Sequence, residues 1–202
     1  MLRNFVLAVA GGVLISSGAL AEEASPTIQN AVEVSLSNDT LHLRYLASGE
    51  KIGAGRSQAS AGFFLSEERD IVLDAALLFP INLDFDLGPV GPLTILVGPR
   101  AYAALLEDEN SDVMAFSVGT EIRFDILRES GLAVVGQAFY SPDILTFGAA
   151  DNLLDLSARA EIGLGSQLTG FAGMRWFEFD LTAGEGERTL QEEVFVGIGW
   201  RF

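Results

Sequence analysis

The sequence predicts an all-β fold: an antiparallel up-and-down transmembrane β-barrel of about ten strands, with eight strands as the alternative. Three observations predict it. Apolar and polar residues alternate with a period of two. Several alternating segments reach eleven residues or more, whereas soluble strands usually have about five or six and a tilted membrane strand about nine to eleven. Beyond residue 21, no run of about 18 apolar residues would form a membrane helix.

Ten segments carry the alternation. They are residues 31–37, 41–47, 57–65, 70–79, 93–106, 112–125, 131–141, 153–164, 167–179 and 190–202. Gly165-Ser166 suits a two-residue periplasmic turn, and the connections at about 142–152 and 180–189 are expected on the extracellular side. Because the first two segments have only seven residues each, eight spanning strands preceded by an N-terminal hairpin are the alternative.

Large aromatic residues lie near the strand ends on the apolar face. They are Tyr45, Phe79, Phe124, Tyr140, Trp176, Trp200 and Phe202. Outer-membrane barrels carry such aromatic girdles at both membrane interfaces. Alternation also occurs in soluble β-sandwiches, so the girdles and the strand lengths favour the membrane.

The N-terminus has the pattern of a cleaved signal peptide. Arg3 precedes the apolar run Phe5 to Ile15, and Ala19-Leu20-Ala21 matches the A-x-A cleavage site. We expect residues 1–21 to be the signal peptide and residues 22–202 a single barrel domain. The chain has no cysteine, so neither a lipid anchor on cysteine nor a disulfide is expected.

The last strand ends in an aromatic pair. Val194, Val196, Ile198, Trp200 and Phe202 share one face up to the last printed residue. A terminal Phe on an alternating strand resembles the sorting signal that the barrel-assembly machinery recognises in bacterial outer-membrane proteins. Trp200 and Phe202 are therefore the candidate assembly signal.

Charge excludes one class of partner. The chain has 12 basic and 28 acidic residues and a formal net charge of −16, so it lacks the basic surface that binds nucleic acid. The expected partners are outer-membrane lipid, lipopolysaccharide and the barrel-assembly machinery.

If the apolar face meets lipid, the polar face lines the barrel. The inward acidic residues are then Glu33, Asp74, Glu121, Asp125, Asp155 and Glu161. The inward basic residues are Arg44, Arg100, Arg123, Arg159, Arg175 and Arg201. Buried charges are costly unless they are paired. We favour a lumen filled by a salt-bridge network over the alternative, a narrow charged passage, because a small barrel is readily filled by side chains.

Candidate catalytic and metal-binding residues are few. His42, the only histidine, lies on the polar face beside Arg44, which favours a lumen residue over a general base. Asp108, Asn110 and Asp112 resemble the start of a calcium loop, but Val113 and Gly119 stand where that loop needs Gly and Glu. No catalytic, metal-binding or cofactor-binding site is expected, and the chain is not expected to be an enzyme.

One stretch is similar to a known family. The residues 139–151, FYSPDILTFGAAD, resemble the YfaZ family of outer-membrane proteins, as do 171–176, FAGMRW, and 196–202, VGIGWRF. The resemblance implies a barrel in the outer membrane of Gram-negative bacteria. It implies no substrate, catalytic residue or cofactor.

These observations predict an integral outer-membrane barrel with a structural or narrow porin-like role and an unspecified substrate. One alternative is a soluble periplasmic, lipocalin-like barrel with an apolar interior. The other is an outer-membrane lipid-modifying enzyme, which would need a nucleophile near His42.

Overall fold

The computed structural model of the chain describes residues 30–81, 93–107, 111–127, 131–181 and 187–202. Within these ranges the chain forms eleven strands and the two 3₁₀ helices Gly49–Ile52 and Asp143–Leu145. The strands are β1 (Ala31–Leu36), β2 (Thr40–Ser48), β3 (Gln58–Ser66), β4 (Ile71–Ile81), β5 (Leu93–Leu106), β6 (Ser111–Leu127), β7 (Leu132–Ser141), β8 (Thr146–Gly148), β9 (Ala150–Gly163), β10 (Leu168–Leu181) and β11 (Glu187–Arg201). In the same ranges no helix has the length and apolar composition needed to cross a membrane. The expected signal peptide, residues 1–21, lies outside the described residues.

Ten strands of the described chain form a closed antiparallel ring. Strands adjacent in sequence pair with each other from β1 to β7, β7 pairs with β9, and Ala31 of β1 pairs with Arg201 of β11 to close the ring. Following paired residues once around the ring from Asp125 in β6 leads back to Val113 in the same strand, a stagger of twelve residues. Such a stagger is needed for closure and tilts the strands by roughly 35–45°.

The structure confirms the predicted ten-strand barrel and corrects three details. The first two strands belong to the ring, so the eight-strand alternative is wrong. The connection predicted at 142–152 contains β8, which pairs with β6, and β9 begins at Ala150 instead of 153. The predicted two-residue turn at Gly165-Ser166 spans residues 164–167, where the Leu164 amide donates to the Leu168 carbonyl.

The two faces of the barrel wall have opposite chemistry. Outward side chains are apolar and exposed along most strands, as for Met114, Phe116 and Val118 on β6. Inward side chains include charged groups that are buried, such as Arg100 and Asp155. Polar groups inside and apolar groups outside are the reverse of the arrangement in a soluble domain.

The outward aromatic residues form two levels. We call the end where Ala31 pairs with Arg201 the terminal end, and the other the far end. Trp200 lies near the terminal end and pairs with Leu168 of β10, and Trp176 lies eight residues farther along β10. At about 3.4 Å per residue and a tilt of 35–45°, the two levels are about 20 Å apart along the axis. That separation is close to the apolar band of roughly 25 Å that such barrels present to lipid.

Apolar side chains fill the far end of the lumen. Phe177, next to Trp176 on β10, contacts the rings of Phe64, Tyr102 and Phe179 at centroid distances of 5.9, 5.6 and 5.5 Å. These four rings are almost completely buried. We call them, with the apolar residues packed around them, the far-end cluster.

Candidate functional site

The charged part of the lumen lies on the terminal side of the far-end cluster and centres on Asp155 of β9. Its carboxylate accepts hydrogen bonds from Arg175 Nε and Nη2, both at 2.9 Å, and from Arg100 Nη1 at 3.3 Å. The hydroxyl of Tyr102 donates to the same carboxylate at 2.8 Å. Asp155 is therefore buried with its acceptor oxygens satisfied, as a buried carboxylate requires.

A neighbouring carboxylate, Asp74 of β4, is held more loosely. Its oxygens lie 3.8 Å from Arg100 Nε and 3.7 Å from His42 Nε2. Both distances exceed those of hydrogen bonds. Asp74 therefore balances charge in this layer without fixing the geometry of either partner.

A second group of ion pairs lies nearer the terminal end. Arg159 binds Glu33 with two hydrogen bonds of 2.8 and 2.9 Å and also donates from Nε to Glu161 at 2.8 Å. Arg123 bridges Glu161 at 2.6 Å and Asp125 at 3.0 Å. The planar guanidinium can serve two carboxylates at once, so two arginines and three carboxylates form one chain of contacts.

Among the described residues, three of the predicted lumen charges make no ion pair. Glu121 accepts a hydrogen bond from Gln137 at 2.5 Å. Arg201 donates to Thr169, and Arg44 donates from Nη2 to Ser60 at 3.4 Å. The other nine predicted charges are joined to at least one opposite charge.

Inward phenylalanines, which the sequence analysis did not single out, stack on the lumen arginines. The guanidinium carbon of Arg100 lies 3.9 Å from the ring centroid of Phe139, and that of Arg175 lies 4.4 Å from Phe177. Such cation–π contacts contribute about 2 kcal/mol or more where both groups are desolvated. The parity of the strands could have revealed these pairs, because Phe139 and Phe177 share the inward face with the charges.

A cavity of about 40 Å³ lies between the two ion-pair groups. A site for one buried water needs roughly 10–15 Å³, so the cavity has room for more than one water-sized particle. Its wall consists of Glu33, Ser35, His42, Arg44, Arg100, Val135, Gln137, Ser157, Arg159, Phe171, Arg175, Gln191 and Phe195.

A family model described as YfaZ precursor matches residues 16–202, which is most of the chain. The chain belongs to the YfaZ family. No curated protein matches the sequence. The resemblance, whose most specific residues lie in the C-terminal third, is thus confirmed over the whole expected mature chain.

The segment that carried the YfaZ resemblance covers one side of the far end. Ser141 at the end of β7 donates from Oγ to the Phe116 carbonyl at 3.0 Å, and its Oγ lies 2.9 Å from Thr146 Oγ1. These contacts fold the chain back so that Thr146–Gly148, as β8, pairs with β6. The YfaZ motif therefore has a structural explanation: it builds a short extra strand that pairs with β6.

The aromatic pair at the YfaZ C-terminus is exposed at the terminal end. Trp200 and Phe202 contact each other at a centroid distance of 5.6 Å, and Phe202 lies 6.5 Å from Tyr45. All three rings point outward and are about half exposed. Their proposed recognition by the assembly machinery stays a prediction.

His42 contacts a carboxylate and an aromatic ring in the lumen. Its Nε2 lies 3.7 Å from Asp74, and its ring meets that of Phe64 edge-on at a centroid distance of 6.3 Å. Among the described residues, Nε2 has no hydrogen-bond partner. Asp108 and Asn110 of the calcium-like motif lie outside the described residues, and Asp112 pairs with Leu105 in the wall. The described residues contain no cluster of three or more metal-ligating side chains.

Proposed function

We propose that this YfaZ protein is an integral outer-membrane β-barrel with a structural role and an occluded lumen. The observation that carries the proposal is the inverted polarity of the wall: 27 large apolar side chains are exposed on the described surface, while ion pairs are buried in the middle of the lumen. Exposed apolar surface of this extent is unfavourable in water. Lipid around the barrel removes that cost.

The packing of the lumen supports a structural role over a narrow porin-like one. The far-end cluster occupies one end, and the ion pairs around Asp155 and Arg159 cross the middle. The cavity between them is about 40 Å³, far below the roughly 300 Å³ of ordinary ligand sites. Passage of even a small organic solute would require these contacts to separate.

Two features support an outer-membrane location. The family description names a precursor, which agrees with the signal peptide expected at residues 1–21. The two aromatic levels match the girdles of outer-membrane barrels. In this arrangement both ends of the barrel sequence face the periplasm, and lipopolysaccharide contacts the far end.

The two alternative functions fit the geometry less well. A lipocalin-like protein needs a polar exterior and an apolar ligand cavity, whereas this barrel has an apolar exterior and a cavity lined by arginines. A lipid-modifying enzyme needs an activated nucleophile, and the described neighbours of His42 are a carboxylate and a phenyl ring. We therefore propose a non-enzymatic role.

Cell fractionation followed by a gel of boiled and unboiled samples tests the location and the fold together. We expect the protein in the outer-membrane fraction after washing with salt and urea, and a change of mobility on boiling. Recovery in the soluble periplasm without a change of mobility would refute the membrane proposal.

Planar-bilayer recording tests the occluded lumen separately. Purified wild-type protein is expected to give no stepwise conductance at the salt concentrations that are used to record porin channels. A heat-denatured sample from the same preparation controls for detergent, and a known porin controls for bilayer quality. Reproducible unitary steps from the folded protein alone would favour the porin-like role.

A further inference from the structure

The cavity between the two ion-pair groups has a wall with an excess of positive charge. Four arginines contribute to it, namely Arg44, Arg100, Arg159 and Arg175, against the single carboxylate of Glu33. That carboxylate already accepts two hydrogen bonds from Arg159. The cavity therefore faces guanidinium groups without an available carboxylate in its wall.

Arg44 is the cation with the weakest compensation. It is 5% exposed, and in the described chain no carboxylate oxygen lies within 4.0 Å of it. Its one hydrogen bond there is the long contact to Ser60. The carboxylates that act on it over longer distances contact other groups. Glu33 binds Arg159, and Asp74 lies beside Arg100 and His42. Glu121 accepts a hydrogen bond from the neutral Gln137 and makes no direct contact with Arg44. A buried cation in this situation is energetically unfavourable unless another group pairs with it.

Polar atoms on the same wall also lack partners. Arg44 Nε, Arg100 Nε and Arg175 Nη1 are buried and make no hydrogen bond to any described residue. All three belong to residues that line the cavity and are more than nine-tenths buried. Buried donors in native proteins are nearly always satisfied. The arginines of the cavity wall therefore retain hydrogen-bonding capacity that no described residue uses.

We propose that the cavity is a binding site for one small inorganic monovalent anion, of the size of chloride or nitrate, paired with Arg44. Such an anion accepts hydrogen bonds from several N–H groups and supplies the negative charge that the wall lacks. A water molecule satisfies donors but leaves Arg44 without a negative charge in direct contact. The volume of about 40 Å³ accommodates a small anion with one or two waters and excludes sugars and nucleotides.

Thermal unfolding of the intact protein in detergent tests the site. Unfolding is followed by gel mobility in sodium chloride and in sodium gluconate of equal ionic strength, because gluconate is too large for the cavity. A ligand that binds only the folded state raises the unfolding midpoint. We expect a higher midpoint in chloride, and the same midpoint in both salts for Arg44→Met.

Arg123→Met is the matched control. It also removes a lumen guanidinium, but Arg123 does not line the cavity and both its carboxylates are outside the cavity wall. We expect this variant to unfold at a lower temperature than the wild type and to keep the difference between chloride and gluconate. If both variants lost the difference in unfolding midpoint between chloride and gluconate, that difference would reflect the general electrostatics of the lumen, and the proposal would be overturned.

Diffraction from wild-type crystals soaked in sodium bromide tests the site without any variant. An anomalous peak within hydrogen-bond distance of the Arg44 guanidinium is expected. Bromide peaks confined to the protein surface, with equal wild-type midpoints in the two salts, would show that the cavity holds only water. This measurement decides the question even if Arg44→Met does not fold.

Discussion

An arginine placed on the outward surface, midway between the two aromatic levels, tests membrane insertion. On β11, Val196 lies four residues from Trp200, and four residues in the other direction Glu192 pairs with Trp176. Four residues span about 14 Å along a strand and about 10 Å along the axis of a tilted barrel. Val196 therefore lies midway between the two aromatic levels, which in the proposed membrane orientation is the position farthest from both interfaces.

Substituting Val196→Arg places a charge at that midpoint. For arginine on the lipid face of a barrel, the cost is about 2–4 kcal/mol at the bilayer midplane and about 0–1 kcal/mol near the interfaces. Leu164→Arg is the matched control, because Leu164 and Val196 are both 59% exposed and Leu164 lies in the turn at the terminal end. We expect Val196→Arg to lower the free energy of unfolding by about 1–4 kcal/mol more than Leu164→Arg does.

Equilibrium unfolding by guanidinium in phospholipid vesicles measures this difference. Folded and unfolded fractions are quantified by gel mobility and by tryptophan fluorescence. In a water-soluble barrel both substitutions would change the stability by less than about 0.5 kcal/mol, since exposed surface positions tolerate charge. Equal and small effects for the two variants would therefore refute the argument from inverted polarity.

Three further predictions concern the lumen and one loop. Asp155→Ala removes the acceptor of four hydrogen bonds and leaves two arginines buried, so it should lower the unfolding free energy by about 3–5 kcal/mol in the same assay. Gly197→Ala should cost about 1–3 kcal/mol, because its Cβ would lie 2.5 Å from the Val34 carbonyl oxygen, whereas Gly199→Ala meets nothing nearer than 3.4 Å and should be close to neutral. In the exposed β1–β2 turn, the neighbouring Glu193 raises the pKa of Asp39, so the folded state binds the proton more tightly and loses stability as the pH rises. Asp39→Asn should therefore stabilise the protein against urea at pH 7, with the difference disappearing below about pH 4.

Strand positions and faces were predictable because both follow from local sequence. The fifth strand was predicted at 93–106, and the structure has Leu93–Leu106. A period of two fixes which residues share a face once a strand is located, so Arg100 and Asp155 were assigned to the interior from parity alone. The motif FYSPDILTFGAAD identified the family for the same reason, since it is a contiguous string.

The short strand β8 and the length of the turn at 164–167 were not predictable by this route. Thr146–Gly148 has only three residues, too few for a period to be recognised, and it is stabilised by pairing with β6 some thirty residues earlier. Alternation indicates whether a residue faces inward or outward, but it does not indicate which distant strand the segment pairs with.

The partners of the lumen charges depend on closure of the ring. Arg159 and Glu33 are 126 residues apart in sequence and lie on β9 and β1, which are not neighbours in the sheet. The stagger of twelve residues decides which side chains reach the same level, and no single strand contains that information. Before the ring closes, each of these charges would have to remain hydrated, because its partner is absent. The ion pairs therefore favour the closed ten-strand register over shifted or open ones. A well-packed apolar lumen could provide similar stability, so we infer that the buried charges serve to specify the register.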